Sequence, residues 1–194
     1  YGFVRRESFE NASKSFKNIE HIKNDISIIP VSITDPLNIY REISRIKPDE
    51  LYHLAAHSFV SYDMSDEISI MNINFNSTLY LANSLKEISP NSRFFFAGSS
   101  EMFGNPELSP QNENSKFNPR SIYGIAKVSS YYLLKNFRDK DDFFTVTGIM
   151  YNHESPRRGN QFVTKKIIST AVKIKLGKED VLELGNLDAL RDWG

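Results

Sequence analysis

Two kinds of segment alternate along the chain. Continuous apolar runs rich in β-branched and aromatic residues predict buried strands, at residues 25–33, 50–56, 93–98 and 143–150. The opening "YGFV" has the composition of the end of another strand. Segments in which apolar residues recur every three or four positions predict helices, at residues 34–47, 66–88 and 121–138. Strands that are apolar on both faces and separated by single helices indicate an α/β protein with a doubly wound parallel sheet.

The predicted helix at 34–47 has the clearest start. Asp35 is suited to cap it, and Pro36 occupies the first helical position, where its missing N–H is not needed. All three predicted helices carry apolar residues at helical spacing: Ile39, Ile43 and Ile46 in the first, Ile70, Ile73, Leu81, Leu85 and Ile88 in the second, and Ile125, Tyr132, Leu133 and Phe137 in the third.

Polar segments directly follow the predicted strands. They are "AAHS" at 55–58, "GSSEMFG" at 98–104 and "YNHESPRRG" at 151–159. Because ligands of doubly wound sheets bind beyond the carboxyl ends of the strands, we expect the functional residues in these segments.

Four residues in or near these segments form a candidate catalytic set. Tyr123 and Lys127 are four positions apart, which places them on one face of the predicted helix, about 5–6 Å apart at Cβ. Alone, this pair is explained equally well by a half-buried Tyr beside a solvated Lys. Ser99 and Glu101 follow the strand at 93–98, where a turn serine and a solvated or capping carboxylate are ordinary.

Together, the hydroxyl, carboxylate, phenol and ammonium groups are the set required for hydride transfer with proton handling at an adjacent carbon. In this hypothesis Tyr123 removes an alcohol proton, Lys127 lowers the pKa of that tyrosine, and Ser99 hydrogen-bonds the same substrate oxygen. Glu101 is then available for a second proton.

The composition narrows the classes of function. The 194 residues include 24 Lys and Arg and 24 Asp and Glu, so the summed charge gives no electrostatic case for nucleic acid or an anionic membrane surface. The absence of Cys excludes disulfides and thiolate metal sites, and no run approaches the ~20 apolar residues of a membrane span. We therefore expect a cytoplasmic protein.

Because the chain begins without Met and stops at "RDWG", we expect it to be an internal piece of a longer protein.

Five strings carry a resemblance to a known family: "LYHLAAHSFV" (51–60), "FFAGSSEMFG" (95–104), "SIYGIAK" (121–127), "NHESPRRGNQFVTKKI" (152–167) and "LGNLDALRDWG" (184–194). The Ser-Ser-Glu and Tyr-x-x-x-Lys motifs are shared by several nucleotide-sugar enzymes, whereas the last two strings are typical of a much smaller group of them. The chain resembles the extended short-chain dehydrogenase/reductase superfamily, and within it the GDP-mannose 4,6-dehydratase family.

This resemblance extends over essentially the whole chain and implies a Rossmann-like fold. It also implies that the family's opening Gly-rich turn and most of its C-terminal substrate lobe are missing. The chain would then consist of a partial NADP-binding domain at 1–150, which holds the catalytic set, and the start of the nucleotide-sugar-binding part at 151–194.

The resemblance implies an internal redox reaction on GDP-mannose. The family's catalytic positions correspond to Ser99, Glu101, Tyr123 and Lys127. Hydride would pass from mannose C4 to NADP, Glu101 would remove the C5 proton, water would leave from C6, and hydride would return to C6. The product would be GDP-4-keto-6-deoxymannose, a precursor in GDP-fucose biosynthesis. A homo-oligomer, either a dimer or a tetramer, is also implied.

The resemblance also implies which residues of this chain bind the cofactor and the substrate. Arg5 and Arg6 stand where the family binds the ribose 2′-phosphate, which favours NADP over NAD. The other implied cofactor contacts are Leu54, Ala55, Ala56, Ser58, Lys127, His153 and Arg158, and the implied substrate contacts are Asn152, Val163 and Lys166. Arg157 matches either a substrate phosphate contact or a subunit interface.

Three departures and two alternatives remain open. Ser32, His57 and Ser69 stand where Asp, Gln and Tyr are usual in the family, so adenine binding is expected to differ.

A nucleotide-sugar 4-reductase or 4-epimerase is one alternative function. Glu101 counts against it, because these enzymes need no C5 base. A non-catalytic nucleotide-binding scaffold is the other, although the catalytic residues that a scaffold is expected to lose are all present. The piece by itself lacks a phosphate-binding turn, so its own inactivity also stays open.

Overall fold

The protein is described by a computed structural model that covers residues 1–10, 16–58 and 64–194. These residues divide into two compact units, Tyr1–Met150 and Tyr151–Gly194. Within the covered ranges, no helix is both long enough and apolar enough to cross a membrane.

All strand pairs of the first unit are parallel. The described residues form β1 (Gly2–Val4), β2 (Ile28–Pro30), β3 (Glu50–His53), β4 (Arg93–Ala97) and β5 (Thr145–Gly148). β1 pairs with β2, and a second sheet has the order β3–β4–β5. The predicted parallel α/β class is confirmed, although the described strands form two sheets rather than one. The strands are shorter than the apolar runs, whose last residues leave the sheet.

Helices and short helical turns connect the strands. They are α1 (Arg6–Glu10), a 3-10 helix at Lys17–Ile22, α2 (Pro36–Ile46), α3 (Met64–Met71), a π-helical segment at Asn72–Asn76, α4 (Ser77–Ile88), a 3-10 turn at Ser100–Met102, α5 (Ile122–Asp141) and, in the second unit, α6 (Val163–Lys175). The three predicted helices are confirmed, and the one predicted at 66–88 contains the π-helical segment in its middle.

The start of α2 follows directly from its sequence. The Asp35 carboxylate accepts hydrogen bonds from the backbone N–H groups of Leu37 and Asn38, at 3.0 and 3.1 Å. Pro36 is the first helical residue, and the helix ends at Lys47, whose φ of 47° is left-handed. The cap and the stop therefore fix the length of α2 locally.

The core of the first unit lies on one face of the β3–β4–β5 sheet. Phe94 and Phe96 of β4 are fully buried there, and the apolar side chains packed around them are Val31, Ile39, Ile43, Leu81, Leu85, Leu134, Phe137 and Phe143. On the opposite face, Tyr52 and Val146 flank Phe95 in register and are 61% and 42% exposed. The described helices therefore cover this sheet on one face.

The buried face of α5 differs from its apolar stripe. Ile125 and Tyr132 are 42% and 56% exposed, whereas Ala126, Lys127 and Ser130 are buried. Apolar periodicity correctly predicted the helix but not its packed face, because small and polar side chains make the close contacts.

The second unit has little interior. Its backbone is closed by a parallel bridge between Asn152 and Trp193 and by a hydrogen bond from the Gly194 N–H to the Asn152 carbonyl at 2.7 Å. Among the residues described for this unit, Thr170 of α6 is the one buried side chain, and Leu190 is 90% exposed.

Candidate active site

Ser99 lies where β4 ends and a tight turn begins. Its backbone is extended, and its Oγ accepts a hydrogen bond from the Glu101 N–H at 3.3 Å, which caps the 3-10 turn. The next residue, Ser100, donates its N–H to the Met150 carbonyl at 2.9 Å, so the segment after β5 holds the turn in place. Because the Ser99 oxygen serves as the acceptor in the cap, its hydroxyl proton is left for another partner.

The N-terminus of α5 lies against this turn. The Ser121 Oγ caps the helix by accepting a hydrogen bond from the Gly124 N–H at 3.1 Å. A Cβ at Gly124 would lie 2.6 Å from the Glu101 carbonyl oxygen, so only glycine permits this approach. The close approach brings Tyr123, the residue before this glycine, beside the turn that carries Ser99.

Tyr123 is half-buried and hydrogen-bonds to Ser99. Its pKa is raised above the usual value, chiefly because burial disfavours the phenolate. The hydrogen bond with Ser99 acts in the opposite direction, and the negative charge of Glu101 adds to the rise. Burial therefore dominates the pKa of Tyr123 in this arrangement, and the lowering of this pKa by Lys127 stays a prediction.

Lys127 is not a solvated surface residue. It is 2% exposed, and its Nζ donates a hydrogen bond to the Ala97 carbonyl at 2.8 Å. The same nitrogen lies 4.6 Å from the centroid of the Phe96 ring and 5.6 Å from that of the Tyr123 ring. Burial lowers the pKa of Lys127 to about 8. A cation that titrates close to neutral pH is thus held at the carboxyl end of β4.

Glu101 is exposed and lies close enough to Tyr123 to affect its pKa. The structure thus brings all four members of the candidate catalytic set to one edge of the sheet, on the turn after β4 and the first turns of α5. Their catalytic roles stay predictions, since proximity alone does not assign a reaction.

Sequence reasoning missed Asn74, which lies in the π-helical segment and is fully buried. Its side chain accepts a hydrogen bond from the His57 N–H at 2.9 Å and donates one to the His57 carbonyl at 3.0 Å. Its own carbonyl accepts hydrogen bonds from the hydroxyls of Thr78 at 2.9 Å and Ser130 at 3.1 Å. Asn74 therefore ties the segment after β3 to α5, the helix that carries the Tyr–Lys pair. The sequence signal that could have identified Asn74 is a polar residue among the apolar positions of the helix.

His53, the last residue of β3, is a core histidine. It is 3% exposed, its Nε2 lies 3.1 Å from the Ser77 Oγ, and its ring packs 5.8 Å from that of Phe96. Burial, with a smaller contribution from the charge of Lys127, lowers its pKa to about 3. The ring is therefore neutral at physiological pH.

The predicted cofactor residues of the first unit follow β1 and β3. Arg5 and Arg6 come directly after β1 and are exposed, and within the described part of the chain neither forms a salt bridge. The exposed residues after β3 are Leu54, Ala55, Ala56 and Ser58. Phe59 and Val60, which end the matching string at 51–60, lie outside the described residues.

Arg158 of the second unit is held by two neighbours. Its guanidinium carbon lies 3.5 Å from the centroid of the Phe162 ring, and its Nε lies 3.4 Å from Glu154 Oε1. These contacts fix the side chain within its own unit, and a role in cofactor binding stays a prediction.

The other predicted ligand residues of the second unit are polar or exposed. His153 Nδ1 lies 2.9 Å from the Tyr151 carbonyl oxygen, and Asn152 takes part in the backbone bridge that closes the unit. Val163 and Lys166 are exposed on α6. Their ligand-binding roles are likewise untested by the geometry.

Several solved structures share the fold of this chain. A putative epimerase from Burkholderia cenocepacia superposes with a TM-score of 0.79 at 20% identity, covering 99% of this chain and 57% of that chain. The RMD protein of Pseudomonas aeruginosa, solved with NADPH, gives a TM-score of 0.75 at 22% identity, covering 86% of this chain and 58% of that one. At these identities the similarity shows the doubly wound fold alone.

Curated relatives are more similar in sequence. The GDP-mannose 4,6 dehydratase of Cricetulus griseus is 39% identical over 202 residues, which cover 100% of this chain and 54% of the relative. The GDP-mannose 4,6-dehydratase of Yersinia enterocolitica is 37% identical over 203 residues, with the same coverage. The chain thus spans about half the length of these relatives. Because the family model described as GDP-mannose 4,6 dehydratase matches residues 1–194 in full, the chain belongs to the GDP-mannose 4,6-dehydratase family.

Proposed function

We propose that the protein containing this chain is an NADP-dependent GDP-mannose 4,6-dehydratase. The observation that carries the proposal is the convergence of Ser99 and Tyr123 with buried Lys127 and exposed Glu101 at one edge of the sheet. This arrangement provides one group for an alcohol proton and a separate carboxylate for a second proton. The names of the curated relatives support the choice of GDP-mannose as substrate.

In the first step, Tyr123 accepts the proton of the C4 hydroxyl, and Ser99 hydrogen-bonds the same oxygen. Because the pKa of Tyr123 is raised, a phenolate is scarce at neutral pH until a nearby positive charge stabilises it. The ammonium of Lys127, 5.6 Å from the Tyr123 ring, is the cation that the chain itself supplies. Its pKa of about 8 leaves it largely protonated at neutral pH.

In the second step, Glu101 removes the C5 proton, which the ketone at C4 has made acidic. Its exposure leaves the carboxylate accessible to a bound sugar. The C6 hydroxyl then departs as water with the proton that Glu101 has removed, and the proton held by Tyr123 is available to C5 when hydride returns to C6. A carboxylate distinct from the tyrosine is what this step requires, and a 4-reductase or 4-epimerase has no such step.

The residues of the chain fit a nucleotide cofactor with a 2′-phosphate. When bound, NADP supplies the hydride acceptor for C4 and the hydride donor for C6. Arg5 and Arg6 would pair with the 2′-phosphate, since both guanidinium groups are exposed after β1. The exposed backbone from Leu54 to Ser58 would line the adenine and pyrophosphate side, and His153 and Arg158 the nicotinamide half.

The residues of the second unit would hold the nucleotide part of the substrate. Asn152, Val163 and Lys166 would contact the GDP group, with Lys166 supplying a positive charge for phosphate. We further propose a homo-oligomer, a dimer or a tetramer, in the cytoplasm, whose product enters GDP-fucose biosynthesis.

The test is to incubate the protein, in its full natural length, with NADP and each of several nucleotide sugars. We expect a 4-keto-6-deoxy product from GDP-mannose and a cofactor that ends the reaction in its oxidised form. Net oxidation of NADPH with a 4-hydroxy product would indicate a reductase. Interconversion of sugars without loss of water would indicate an epimerase, and binding without turnover a scaffold.

A further inference from the structure

We propose that Phe96 is a positioning residue: the face of its buried ring holds the ammonium group of Lys127 in the charged form beside Tyr123. The Lys127 Nζ lies over this ring, 4.6 Å from its centroid. Phe96 is fully buried, so it acts through Lys127 and not on a ligand. This role rests on the proposed function, in which the cation of Lys127 stabilises the phenolate of Tyr123.

The ammonium of Lys127 is buried without a carboxylate partner. The side chain is 2% exposed, and within the described residues it forms no salt bridge. A buried charge is costly unless nearby groups compensate for the lost water. The groups that the structure places around this ammonium are the Ala97 carbonyl, 2.8 Å from Nζ, and the rings of Phe96 and Tyr123.

The Phe96 ring is suited to stabilise a cation because the face of an aromatic ring carries negative potential. Attraction between a cation and this face becomes stronger when both are removed from water. Phe96 is the nearer of the two rings, since the Tyr123 centroid lies 5.6 Å from the same nitrogen. Burial lowers the pKa of Lys127 to about 8, and attraction to the Phe96 face opposes this fall.

The Phe96 ring and the Ala97 carbonyl form the ammonium seat, which belongs to a paired part of the sheet. Both groups come from consecutive residues at the end of β4. In register, Phe96 pairs with His53 of β3 and with Thr147 of β5, so the strand is held on both sides. The ammonium seat therefore fixes the place of the cation relative to Tyr123.

The histidine beside the ammonium seat stays neutral. The His53 ring packs 5.8 Å from the Phe96 ring, between centroids. The Ser77 hydroxyl donates to a backbone carbonyl, so its oxygen accepts a hydrogen bond from His53 Nε2 at 3.1 Å. Because burial lowers the pKa of His53 to about 3, this ring carries no charge that would repel the cation of Lys127 at neutral pH.

Two further titratable groups, Tyr123 and Glu101, lie on the α5 side of the ammonium seat. The pKa of Tyr123 is raised by burial and by the negative charge of Glu101, so the phenol is neutral in the resting site. The phenolate therefore cannot hold the charge of Lys127 before the proton has moved. The Phe96 face maintains this charge in advance, which makes the cation ready for the first proton transfer.

Replacement of Phe96 by Leu removes the aromatic face but keeps an apolar neighbour, so Lys127 stays desolvated. The full-length protein is labelled with carbon-13 at lysine Cε, and the NMR signal of Lys127 is identified by its loss in Lys127→Met. We expect the pKa of Lys127 to fall by about 0.5–1.5 units in Phe96→Leu.

Phe94→Leu is the matched control for this measurement. Phe94 is also fully buried, lies on the same face of β4 and packs its ring against His53. The pKa of Lys127 should stay unchanged in this variant. An unchanged pKa in Phe96→Leu, or an equal fall in both variants, would overturn the proposal.

Fluorinated phenylalanines in place of Phe96 separate the charge of the ring face from its packing. Fluorine withdraws electron density from the face while it changes the shape of the ring little. We expect the pKa of Lys127 to fall stepwise from the monofluoro to the difluoro and trifluoro ring, with an unchanged circular dichroism spectrum. A pKa that does not follow the number of fluorine atoms would mean that the ring only fills space, and would refute the proposal.

The pH dependence of turnover tests the role in the reaction. With full-length protein and GDP-mannose, turnover by Phe96→Leu should be about two- to fivefold below that of the wild type at pH 8, and close to it at pH 6.5. KM should not change, because Phe96 is fully buried. A loss of equal size at both pH values would indicate a structural role and refute the positioning role. Absence of a 4-keto product from the wild type would instead refute the proposed function, and the fluorinated series would still decide whether Phe96 holds the ammonium.

Discussion

Burial decides the chemistry of individual residues at the candidate site. Lys127 and Tyr123 are both partly or fully removed from water, and burial shifts each pKa toward the neutral form of the side chain. The lysine pKa falls to about 8 and the tyrosine pKa rises. Burial therefore favours the neutral phenol of Tyr123, and its phenolate needs a nearby positive charge, which Lys127 can supply while it is protonated.

Glu101→Gln tests the second proton transfer. The substitution preserves shape and hydrogen bonding but removes the ability to accept the C5 proton. We expect turnover of GDP-mannose to fall by about 10²–10⁴-fold with little change in NADP affinity, measured with the full-length protein. Deuterium incorporation from solvent at C5 should fall in parallel. Glu107→Gln, another exposed carboxylate, is the control, and near-normal product from the Glu101 variant would refute the assignment.

Lys127→Met tests the burial of a cation. The folded-state pKa of about 8 lies below the ordinary lysine pKa of 10.5, so between these values the unfolded chain binds one more proton than the folded one. Unfolding free energy of the wild type should therefore rise with pH across this window, by about 3 kcal/mol, relative to the Met variant. Denaturant unfolding at pH 7 and pH 10.5 measures this difference. Lys135→Met, on the same helix, is the control; identical pH profiles for the wild type and Lys127→Met would mean that Lys127 is solvated.

Replacement of Arg5 and Arg6 by Gln tests cofactor choice. A charge-assisted hydrogen bond to a 2′-phosphate contributes about 1.5–3 kcal/mol, so the double variant should bind NADP at least about tenfold more weakly. Affinity for NAD, which lacks this phosphate, should change little; titration of both cofactors gives the comparison. Arg41→Gln, on the exposed face of α2, is the matched control. An equal loss for both cofactors would contradict a contact with the 2′-phosphate.

At the candidate site, α5 makes close contacts with the turn after β4 and with the segment after β3. The N-terminus of α5 lies against the turn after β4, with a glycine at the point of contact. Asn74 links the segment after β3 to the same helix through hydrogen bonds to His57 and Ser130. The position of α5 is therefore set by polar and close-packed contacts rather than by its apolar stripe.

Gly124→Ala tests this contact between elements. The added methyl group would lie 2.6 Å from the Glu101 carbonyl oxygen, so the turn and the helix must move apart. We expect a loss of unfolding free energy of about 1–3 kcal/mol and a fall in kcat, because Tyr123 and Ser99 separate. Gly185→Ala, where nothing lies within 4 Å of the added atom, is the control for stability. Unchanged kcat in the Gly124 variant would show that the catalytic geometry tolerates the shift.

At the scale of the whole molecule, the two units differ in how many apolar side chains they bury. The main apolar core lies entirely within Tyr1–Met150, whereas the residues described for Tyr151–Gly194 bury little. Most of the cooperative stability should therefore reside in the first unit.

A truncated chain ending at Met150 tests this distribution. We expect residues 1–150 to keep the helix content of the first unit and to unfold in one cooperative transition, since the main apolar core lies within them. Residues 151–194 alone should show no cooperative transition, because they bury too little apolar surface to offset chain entropy. Circular dichroism during thermal and denaturant unfolding distinguishes the two pieces. A cooperative transition in the second piece alone would contradict this expectation.

Much of the site was predictable because its information is local. The i, i+4 spacing places Tyr123 and Lys127 on one helix face whatever surrounds them, and strand periodicity places Ser99 and Glu101 beyond the end of β4. Asn74 could not be found in this way, since its partners are distant in sequence. The buried face of α5 could not be predicted for the same reason, because its neighbours, and not its own periodicity, select the residues that are buried.

The sequence by itself determined the alternation of strands and helices in the first unit, the cap of α2, the parallel class of the fold and the four residues of the candidate catalytic set. Each depends on backbone geometry over a few residues or on the rule that parallel strands share a carboxyl edge. Only the tertiary structure decided the pKa directions of Tyr123 and Lys127, the hydrogen bonds of Asn74 and the division of the described strands into two sheets. Desolvation, close approach and strand pairing all arise between segments that are distant in sequence, so no local sequence pattern predicts them.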